Sequence, residues 1–218
     1  MQYRVLLFGD SNTWGFDAHS LTPGASFVKR MAAEVRWPGV AGAILGERYA
    51  ITENALNGRT IIVKDPYHDF RPGIETLPEA MDAGSHYDLV VLHLGVNELK
   101  DYMALSAGMI ANGMERLVKA AQQSFYGCPP AKVLLIAPPP TQAEISSLKY
   151  ADRFGAAYEK SVALAPLYRA VAQRNGCGFL DCTELNFRLN DIDGFHYCEE
   201  DHKKLGVAAA EAIKALLP

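Results

Sequence analysis

The stretch "LLFGDSNTWG", residues 6–15, joins an apolar run to a polar turn near the start of the chain. The run "YRVLLF", residues 3–8, is typical of a strand that is buried on both faces of a parallel sheet. Directly after it, Ser11 stands between an acid and an amide. A small hydroxyl at this point suits a turn residue, a phosphate cradle or a nucleophile. The remainder of the chain has to distinguish these three roles.

Strand-like and helix-like segments alternate along the chain. Further strands are expected in four segments, at 49–54, 87–95, 131–140 and 177–182. Such alternation predicts an α/β fold with a mainly five-stranded parallel sheet and right-handed crossovers. Helices are expected between them, at 38–49, 109–125, 156–176 and 199–217.

Local signals refine three of these helices. Pro38 suits the first turn of the first helix. Within 156–176, Pro166 predicts a kink and Gly176 a C-terminal cap. The helix at 109–125 has one apolar face, made of Ile110, Met114, Leu117, Val118, Ala121 and Phe125.

Composition sets the outer limits of function. The 218 residues suit a single domain, 1–218, and about half of them are apolar. The net charge of −4, without a basic run, argues against a nucleic-acid partner. No apolar run approaches the roughly 18 residues of a membrane span, and the N-terminal apolar stretch is too short for a signal peptide. We therefore expect a cytoplasmic protein with reduced cysteines, none of which has metal-site spacing.

The residues that follow the strands carry the chemistry. In parallel sheets, ligands bind beyond the carboxyl ends of the strands, so these segments meet at one edge. They are 9–12, 54–59, 95–98, 137–141 and the loop from 181 to 196. Together they contain a serine, a glycine, an asparagine, an aspartate and a histidine.

A serine nucleophile needs a base, and the base needs a group that orients it. Asp193 and His196 are three residues apart in "DIDGFHYCEEDH", residues 191–202. In a tight turn, the carboxylate can accept from Nδ1–H while Nε2 faces Ser11. Asp191 is a competing orienter. Asp193 and His196 each also suit an ordinary polar loop. His202, further along, is expected at the surface.

Acyl transfer also requires donors for an oxyanion. Three can converge: the Ser11 N–H, the Gly58 N–H and the Asn97 side-chain amide. Gly58 also suits a simple turn, and Asn97 a helix cap. Asp10 is expected to support the serine turn.

Nearby aromatic side chains and polar loops have several interpretations. Trp14 and Phe195 are candidate walls of a small apolar pocket, with core packing as the alternative. "DPYHDF", residues 65–70, is expected to be a solvated loop, and we predict no metal or cofactor.

Four blocks, "FGDSNTWG", "NALNGRT", "LHLGVNELK" and "DGFHYCEEDH", resemble the signature blocks of the SGNH, or GDSL-type, hydrolase superfamily. The resemblance covers nearly the whole chain. It implies a flavodoxin-like three-layer α/β/α sandwich and a catalytic triad of Ser11, His196 and Asp193. It further implies an oxyanion hole from Ser11, Gly58 and Asn97, without a cofactor.

Other segments, among them "VRWPGV" and "APPP", are similar to the bacterial arylesterase and acyltransferase branch. This likeness implies a small-molecule ester as substrate, acyl transfer to alcohols and assembly into a homo-oligomer. One departure is Glu98, because the third block usually reads Gly-x-Asn-Asp. A carbohydrate O-acetyl esterase, a lysophospholipase or thioesterase, and a flavodoxin-like phosphate-binding module remain as alternatives.

Overall fold

The strands and helices come from a computed structural model that describes residues 2–21, 27–83, 86–123 and 128–218. Within these ranges the strands are β1 (Tyr3–Gly9), β2 (Phe16–Asp17), β3 (Lys29–Arg30), β4 (Tyr49–Ala55), β5 (Leu89–His93), β6 (Lys132–Ala137) and β7 (Gly178–Asp181). The α-helices are α1 (Ser11–Trp14), α2 (Trp37–Leu45), α3 (Gly73–Ala83), α4 (Ala107–Ala121), α5 (Ala151–Phe154), α6 (Ala157–Val162), α7 (Leu164–Arg174) and α8 (Glu199–Leu216).

Five parallel strands form the central sheet, in the order β4-β1-β5-β6-β7. This confirms the predicted α/β fold. β1 lies between β4 and β5, and its last residue, Gly9, is level with Ala55 on one side and His93 on the other. The turns that follow these three strands therefore start at the same edge of the sheet.

Alternate residues of β1 pack into two separate cores, one on each face of the sheet. Leu6 and Phe8 join the core that contains residues of α3, α4 and α7. Val5 and Leu7 join the core that contains residues of α2 and α8. Helices on both faces explain why the strand is apolar at successive positions instead of alternate ones.

The helix expected at 156–176 is two helices in the structure. α6 ends at Val162 and α7 begins at Leu164, so Pro166 lies in the first turn of α7 and not at a kink inside one helix. Proline is tolerated there because the first N–H groups of a helix have no partner within it. Gly176 follows the end of α7 with φ of 62°, as a capping glycine does.

Two further helices differ from the expectation. α4 begins before Met109 because the Ser106 hydroxyl caps it, accepting from the Met109 N–H at 3.2 Å. Phe125, assigned to its apolar face, lies outside the described residues. α3 was not expected from the sequence. No helix within the described ranges is long and apolar enough to cross a bilayer.

The contact between α2 and α8 requires a glycine. A Cβ at Gly206 would lie 2.6 Å from Val40 Cβ and 3.0 Å from the Trp37 carbonyl oxygen. We expect Gly206→Ala to lower the free energy of unfolding by about 1–3 kcal/mol, because two helix backbones would have to separate. Urea denaturation measures the change.

Gly42 provides the matched control for this substitution. It also lies in a helix, but its added Cβ would meet only Ile51 Cγ1, at an ordinary 3.8 Å. Gly42→Ala should be neutral or raise stability by up to about 1 kcal/mol, because alanine favours the helix. Equal destabilisation by both variants would contradict the packing argument.

Candidate active site

Ser11 lies in a sharp turn at the end of β1. It is the first residue of the short helix α1, and the Asp10 side chain caps that helix by accepting from the Asn12 N–H at 3.0 Å. A Cβ at Gly9 would lie 2.0 Å from Thr13 Oγ1, so the tight turn requires a glycine there. Strand, glycine and cap together set the position of the Ser11 hydroxyl.

Asp10 supports this turn from a buried position. Burial raises its pKa to about 6, against the lowering effects of the Asn12 N–H and of the charges of His196 and Arg59. Above that pH its carboxylate is ionised and accepts the Asn12 N–H more strongly.

The structure brings His196 and Asp193 to Ser11. His196 Nε2 is 2.9 Å from Ser11 Oγ, and His196 Nδ1 is 2.7 Å from Asp193 Oδ2. Ser11 and His196 are 185 residues apart in the sequence. The chain therefore has a hydroxyl, an imidazole and a carboxylate in the linear arrangement of a nucleophile, base and orienting acid.

Asp193 is held as a carboxylate by its hydrogen bonds. Its Oδ1 accepts from Asn190 Nδ2 at 2.8 Å and from the His196 N–H at 3.1 Å. Burial alone would raise its pKa, but the His196 side chain, by hydrogen bond and charge, and Asn190 bring the pKa below the ordinary value. The competing orienter, Asp191, is exposed.

The segment that contains Gly58 is hydrogen-bonded to the ends of β1 and β4, next to Ser11. Gly58 has φ of 75°, in the left-handed region that favours glycine. The neighbouring Arg59 donates through Nη1 to the carbonyls of Gly9, at 3.0 Å, and Asn54, at 2.6 Å. Asn97 Nδ2 donates to the Arg59 carbonyl at 3.1 Å, which joins the turn after β4 to the turn after β5.

A cavity of about 250 Å³ opens at these groups. Ser11, Gly58, Asn97 and His196 all line it. The rest of its wall combines aromatic and polar side chains, namely Phe16, Phe154, Phe195, Tyr150, Asn57, His68, Arg71, Lys100 and Arg153. Every residue predicted to form the triad or the oxyanion hole, apart from the orienting Asp193 behind the imidazole, thus faces one space.

Comparison with known proteins agrees with this geometry. Residues 7–204 match the GDSL-like lipase/acylhydrolase family. The chain belongs to this family. Membership makes it a carboxylic ester hydrolase, and the resemblance found in the four sequence blocks is confirmed.

Several solved structures are similar to this GDSL-like hydrolase over nearly the whole chain. Est24, a carbohydrate acetylesterase from Sinorhizobium meliloti, is 35% identical with a TM-score of 0.90, over 99% of this chain and 100% of its own. The aryl esterase of M. smegmatis is 32% identical with a TM-score of 0.87, over 98% and 99%. No match is found among curated proteins.

A more distant structure shows that the fold of this hydrolase is shared at low sequence identity. A member of the lipolytic G-D-S-L family from Veillonella parvula is 12% identical with a TM-score of 0.66, over 97% of this chain and 98% of its own. The three-layer arrangement therefore persists where most of the sequence has changed.

Two residues that position the histidine of this GDSL-like hydrolase, Phe16 and Asn12, are not predicted from the sequence. Phe16 stacks on the His196 ring at a centroid distance of 4.0 Å and an angle of 10°. Asn12 donates to the Phe195 carbonyl and accepts from the Tyr197 N–H, both at 3.1 Å. Asn12 thus ties the turn of the serine directly to the loop of the histidine.

Trp14 does not wall the cavity, contrary to the prediction, whereas Phe195 does. The Arg30 guanidinium lies 5.4 Å from the Trp14 ring centroid, and Arg30 Nε donates to the Trp14 carbonyl at 2.7 Å. The helical turn of α1 directs position 14 away from the site. Phe16, two residues later, provides the aromatic wall instead.

Two polar residues expected at the surface are buried. His202 is fully buried, and its Nδ1 accepts from the Trp37 N–H at 3.3 Å. Asp65, predicted in a solvated loop, is buried against Lys100, whose Nζ is 2.6 Å from Asp65 Oδ2. The described residues contain no cluster of metal-ligating side chains, at 65–70 or elsewhere.

A larger surface groove of about 850 Å³ lies along α2 and the start of α8. Its walls are mainly small apolar residues with Glu34, Glu199, Glu200 and Lys203. It does not contain Ser11 or His196. The smaller cavity is therefore the candidate active site, because it contains the serine and the histidine, although its volume is smaller.

Proposed function

We propose that the chain is a serine esterase of small-molecule esters with short, acetyl-type acyl groups, including aryl esters. The observation that carries this proposal is the continuous hydrogen-bonded line from Ser11 Oγ through His196 to Asp193, at 2.9 and 2.7 Å. A base within hydrogen-bonding reach of a serine, and itself oriented by a buried carboxylate, is what activates that hydroxyl.

In the proposed mechanism, Ser11 Oγ attacks the ester carbonyl carbon while His196 Nε2 removes its proton. Asp193 stabilises the imidazolium that forms. His196 then gives this proton to the alcohol oxygen as the bond between that oxygen and the carbonyl carbon breaks. The alcohol departs, and the acyl group stays on Ser11 Oγ. Water, or an alcohol in acyl transfer, attacks this acyl-enzyme by the same route, and Ser11 is regenerated.

The developing oxyanion requires donors on the opposite side of the carbonyl. We assign this role to the N–H groups of Ser11 and Gly58 and to the Asn97 side-chain amide. Two observations support this assignment: all three residues line one cavity, and the hydrogen bonds of Arg59 join the Gly58 segment to Gly9 and Asn97. Donors positioned in advance stabilise the transition state without reorganising.

A small acyl group is favoured by the size and walls of the cavity. Its volume is about 250 Å³, and Phe16, Phe154 and Phe195 contribute aromatic surface beside Ser11. One similar protein is named for the acetyl esters of carbohydrates and another for aryl esters, which supports an acetyl-type acyl group and leaves two alcohols as candidates. A carbohydrate acetyl ester is therefore the second candidate, and the polar wall residue Asn57 favours it.

We expect kcat/KM to fall steeply along the series 4-nitrophenyl acetate, butyrate and octanoate, by at least about tenfold from first to last. An acyl chain that is too long for the cavity leaves part of its apolar surface in water and displaces the ester carbonyl from the oxyanion donors. Initial rates of nitrophenol release measure the series. A preference for octanoate would favour the lysophospholipase or thioesterase alternative.

Acetylated sugars assayed beside the nitrophenyl esters separate the two candidate alcohols. Added ethanol tests transfer against hydrolysis, because ethyl acetate forms only if an alcohol can attack the acyl-enzyme. Homo-oligomeric assembly and a cytoplasmic location stay predictions.

A further inference from the structure

Three cationic side chains line the cavity beside Ser11: Arg71, Lys100 and Arg153. Hydrolysis of a neutral ester requires none of them, because the reacting groups are the serine, the imidazole and the oxyanion donors. Burying or clustering cations costs free energy unless an anion is nearby. The partners of the three side chains therefore decide how much positive charge faces the cavity.

Lys100 already has an anionic partner. Its Nζ is 2.6 Å from Asp65 Oδ2, in a pair whose two side chains are almost completely buried. The Tyr102 hydroxyl also donates to Asp65. Lys100 therefore contributes little net charge to the cavity.

Arg71 has no such partner in the part of the chain that the structure describes. Its Nε is buried there without a hydrogen-bond acceptor. The same Nε lies 3.9 Å from the point where a Cβ on Gly58 would be, so the guanidinium is next to the proposed oxyanion hole. Asn57, also in the wall, has a buried Oδ1 without a donor among the described residues.

Arg153 brings a second positive charge to the same cavity. Its Nε is 3.5 Å from Asp152 Oδ2, but the side chains are 46% and 71% exposed, so water weakens this pair. Its guanidinium carbon lies 5.7 Å from the Tyr150 ring centroid, which keeps it near the aromatic wall.

The charges of these side chains converge on His68, another residue of the cavity wall. Burial lowers the pKa of His68, and the positive charges of Lys100, Arg71 and Arg153 lower it further, against the opposing charge of Asp65. The remaining acids near Ser11 already have partners: Asp193 is hydrogen-bonded to His196, and the charge of Asp10 is opposed by that of Arg59. The cavity thus has an excess of positive charge from Arg71 and Arg153.

We infer that Arg71 and Arg153 bind an anionic group, such as a carboxylate, on the acyl or the alcohol part of the ester substrate. This inference rests on the proposed esterase function and specifies its substrate class. A guanidinium presents paired N–H donors that match the two oxygens of a carboxylate. The nearness of Arg71 to Gly58 brings that anion close to the ester carbonyl.

Two pairs of esters test the inference and distinguish the two positions of the charge. For the alcohol part, 4-acetoxybenzoate is compared with its methyl ester. For the acyl part, 4-nitrophenyl hydrogen adipate is compared with 4-nitrophenyl methyl adipate. In each pair the ratio of kcat/KM, anionic over neutral, is measured for the wild type and its variants.

In at least one pair, we expect Arg71→Gln to lower this ratio about tenfold, as for loss of one hydrogen bond to a charged group. Arg153→Gln should lower it less, because that side chain is more exposed, and added salt should lower the wild-type ratio. Arg116→Gln, at an exposed arginine of α4 that does not line the cavity, is the matched control and should keep the wild-type ratio.

Ratios that neither substitution nor salt changes would overturn the inference, while hydrolysis of the neutral esters would leave the proposed function standing. Equal loss of kcat/KM on charged and neutral esters in Arg71→Gln would also overturn it, because Arg71 would then act on the oxyanion. Circular dichroism verifies folding. If Arg71→Gln does not fold, Arg153→Gln and the salt dependence decide. Absence of all hydrolysis by the wild type would reject the proposed function itself.

Discussion

Replacing Ser11 with alanine is expected to reduce kcat for 4-nitrophenyl acetate by about 10⁴-fold or more. Without Oγ no acyl-enzyme can form, and His196 has no hydroxyl to deprotonate. The fold should be kept, because Gly9 and the Asp10 cap hold the turn without the Ser11 hydroxyl. The hydrogen bond that the substitution removes is the one from Ser11 Oγ to the His196 imidazole. Steady-state kinetics and a thermal melt on the same preparation measure the two properties.

Ser147→Ala is the matched control, because Ser147 is exposed and lies outside the cavity wall. A phosphonate ester that reacts with activated serines gives a second measurement. Mass spectrometry should find its adduct on Ser11 in the wild type and none in Ser11→Ala. An active Ser11→Ala enzyme would contradict the triad, and an unlabelled, inactive wild type would favour the phosphate-binding module.

The sequence was sufficient to predict which residues would meet, because two simple rules govern them. Parallel strands present their following turns at one edge, which brings Ser11, Gly58 and Asn97 together without any knowledge of packing. The second rule is local: a separation of three residues in a turn lets Asp193 reach His196. Both rules depend on sequence order and not on burial.

Features that depend on tertiary contacts could not be predicted in this way. Asn12 meets the Phe195 carbonyl across 183 residues of sequence, and Phe16 stacks on an imidazole from the other end of the chain. Nothing in the local pattern distinguishes these side chains from others in the same turn. The same limit explains Trp14, whose direction depends on how the short helix α1 is oriented against Arg30.

Burial of polar groups was the other difference. Aspartate is mostly exposed and histidine is intermediate, so residue type alone gives no reason to predict that Asp65 and His202 are fully buried. Each is buried because a distant group provides a partner: the Trp37 N–H for His202, and Lys100 for Asp65. Such partners lie far away in sequence, and a single chain without structure gives no signal for them.

Glu98 combines a sequence departure with an unusual environment. It stands where the third block usually has aspartate, and it is fully buried between the turns after β4 and β5. Its Oε1 accepts the Ile61 N–H, while its Oε2 has no partner among the described residues. Burial raises its pKa to about 8, against the opposing effect of the Ile61 N–H. The carboxyl group is therefore neutral in the folded protein near pH 7.

This raised pKa makes stability depend on pH in a defined direction. Below the ordinary glutamate pKa of about 4.5, Glu98 is protonated in both the folded and the unfolded chain. Between that value and about 8, the unfolded chain releases the proton while the folded chain retains it, so the free energy of unfolding falls as pH rises. Above about 8 the group is ionised in both states, and the loss is complete.

Glu98→Gln should remove this dependence, because glutamine keeps an oxygen that can accept the Ile61 N–H and does not ionise. Relative to the wild type, we expect the variant to gain stability between pH 4.5 and pH 8, by on the order of 4 kcal/mol. Urea denaturation at several pH values measures the difference between the two proteins, so slopes from Asp10 and other shared groups cancel.

Glu211→Gln makes the same substitution at an exposed position of α8 and controls for the loss of one ionisable glutamate. That side chain is exposed to water, so its replacement should change the free energy of unfolding by only a few tenths of a kcal/mol, about 0.5 or less. A difference between Glu98→Gln and wild type that stays constant with pH would mean that Glu98 does not release its proton on unfolding. In that case the carboxylate would be ionised in the fold, and the junction of the two turns that hold Gly58 and Asn97 would contain a buried negative charge. If instead the stability of Glu98→Gln relative to the wild type increases as pH rises, the junction is held by a neutral Glu98 carboxyl group. The proposed oxyanion hole then has no negative charge from Glu98 opposing it.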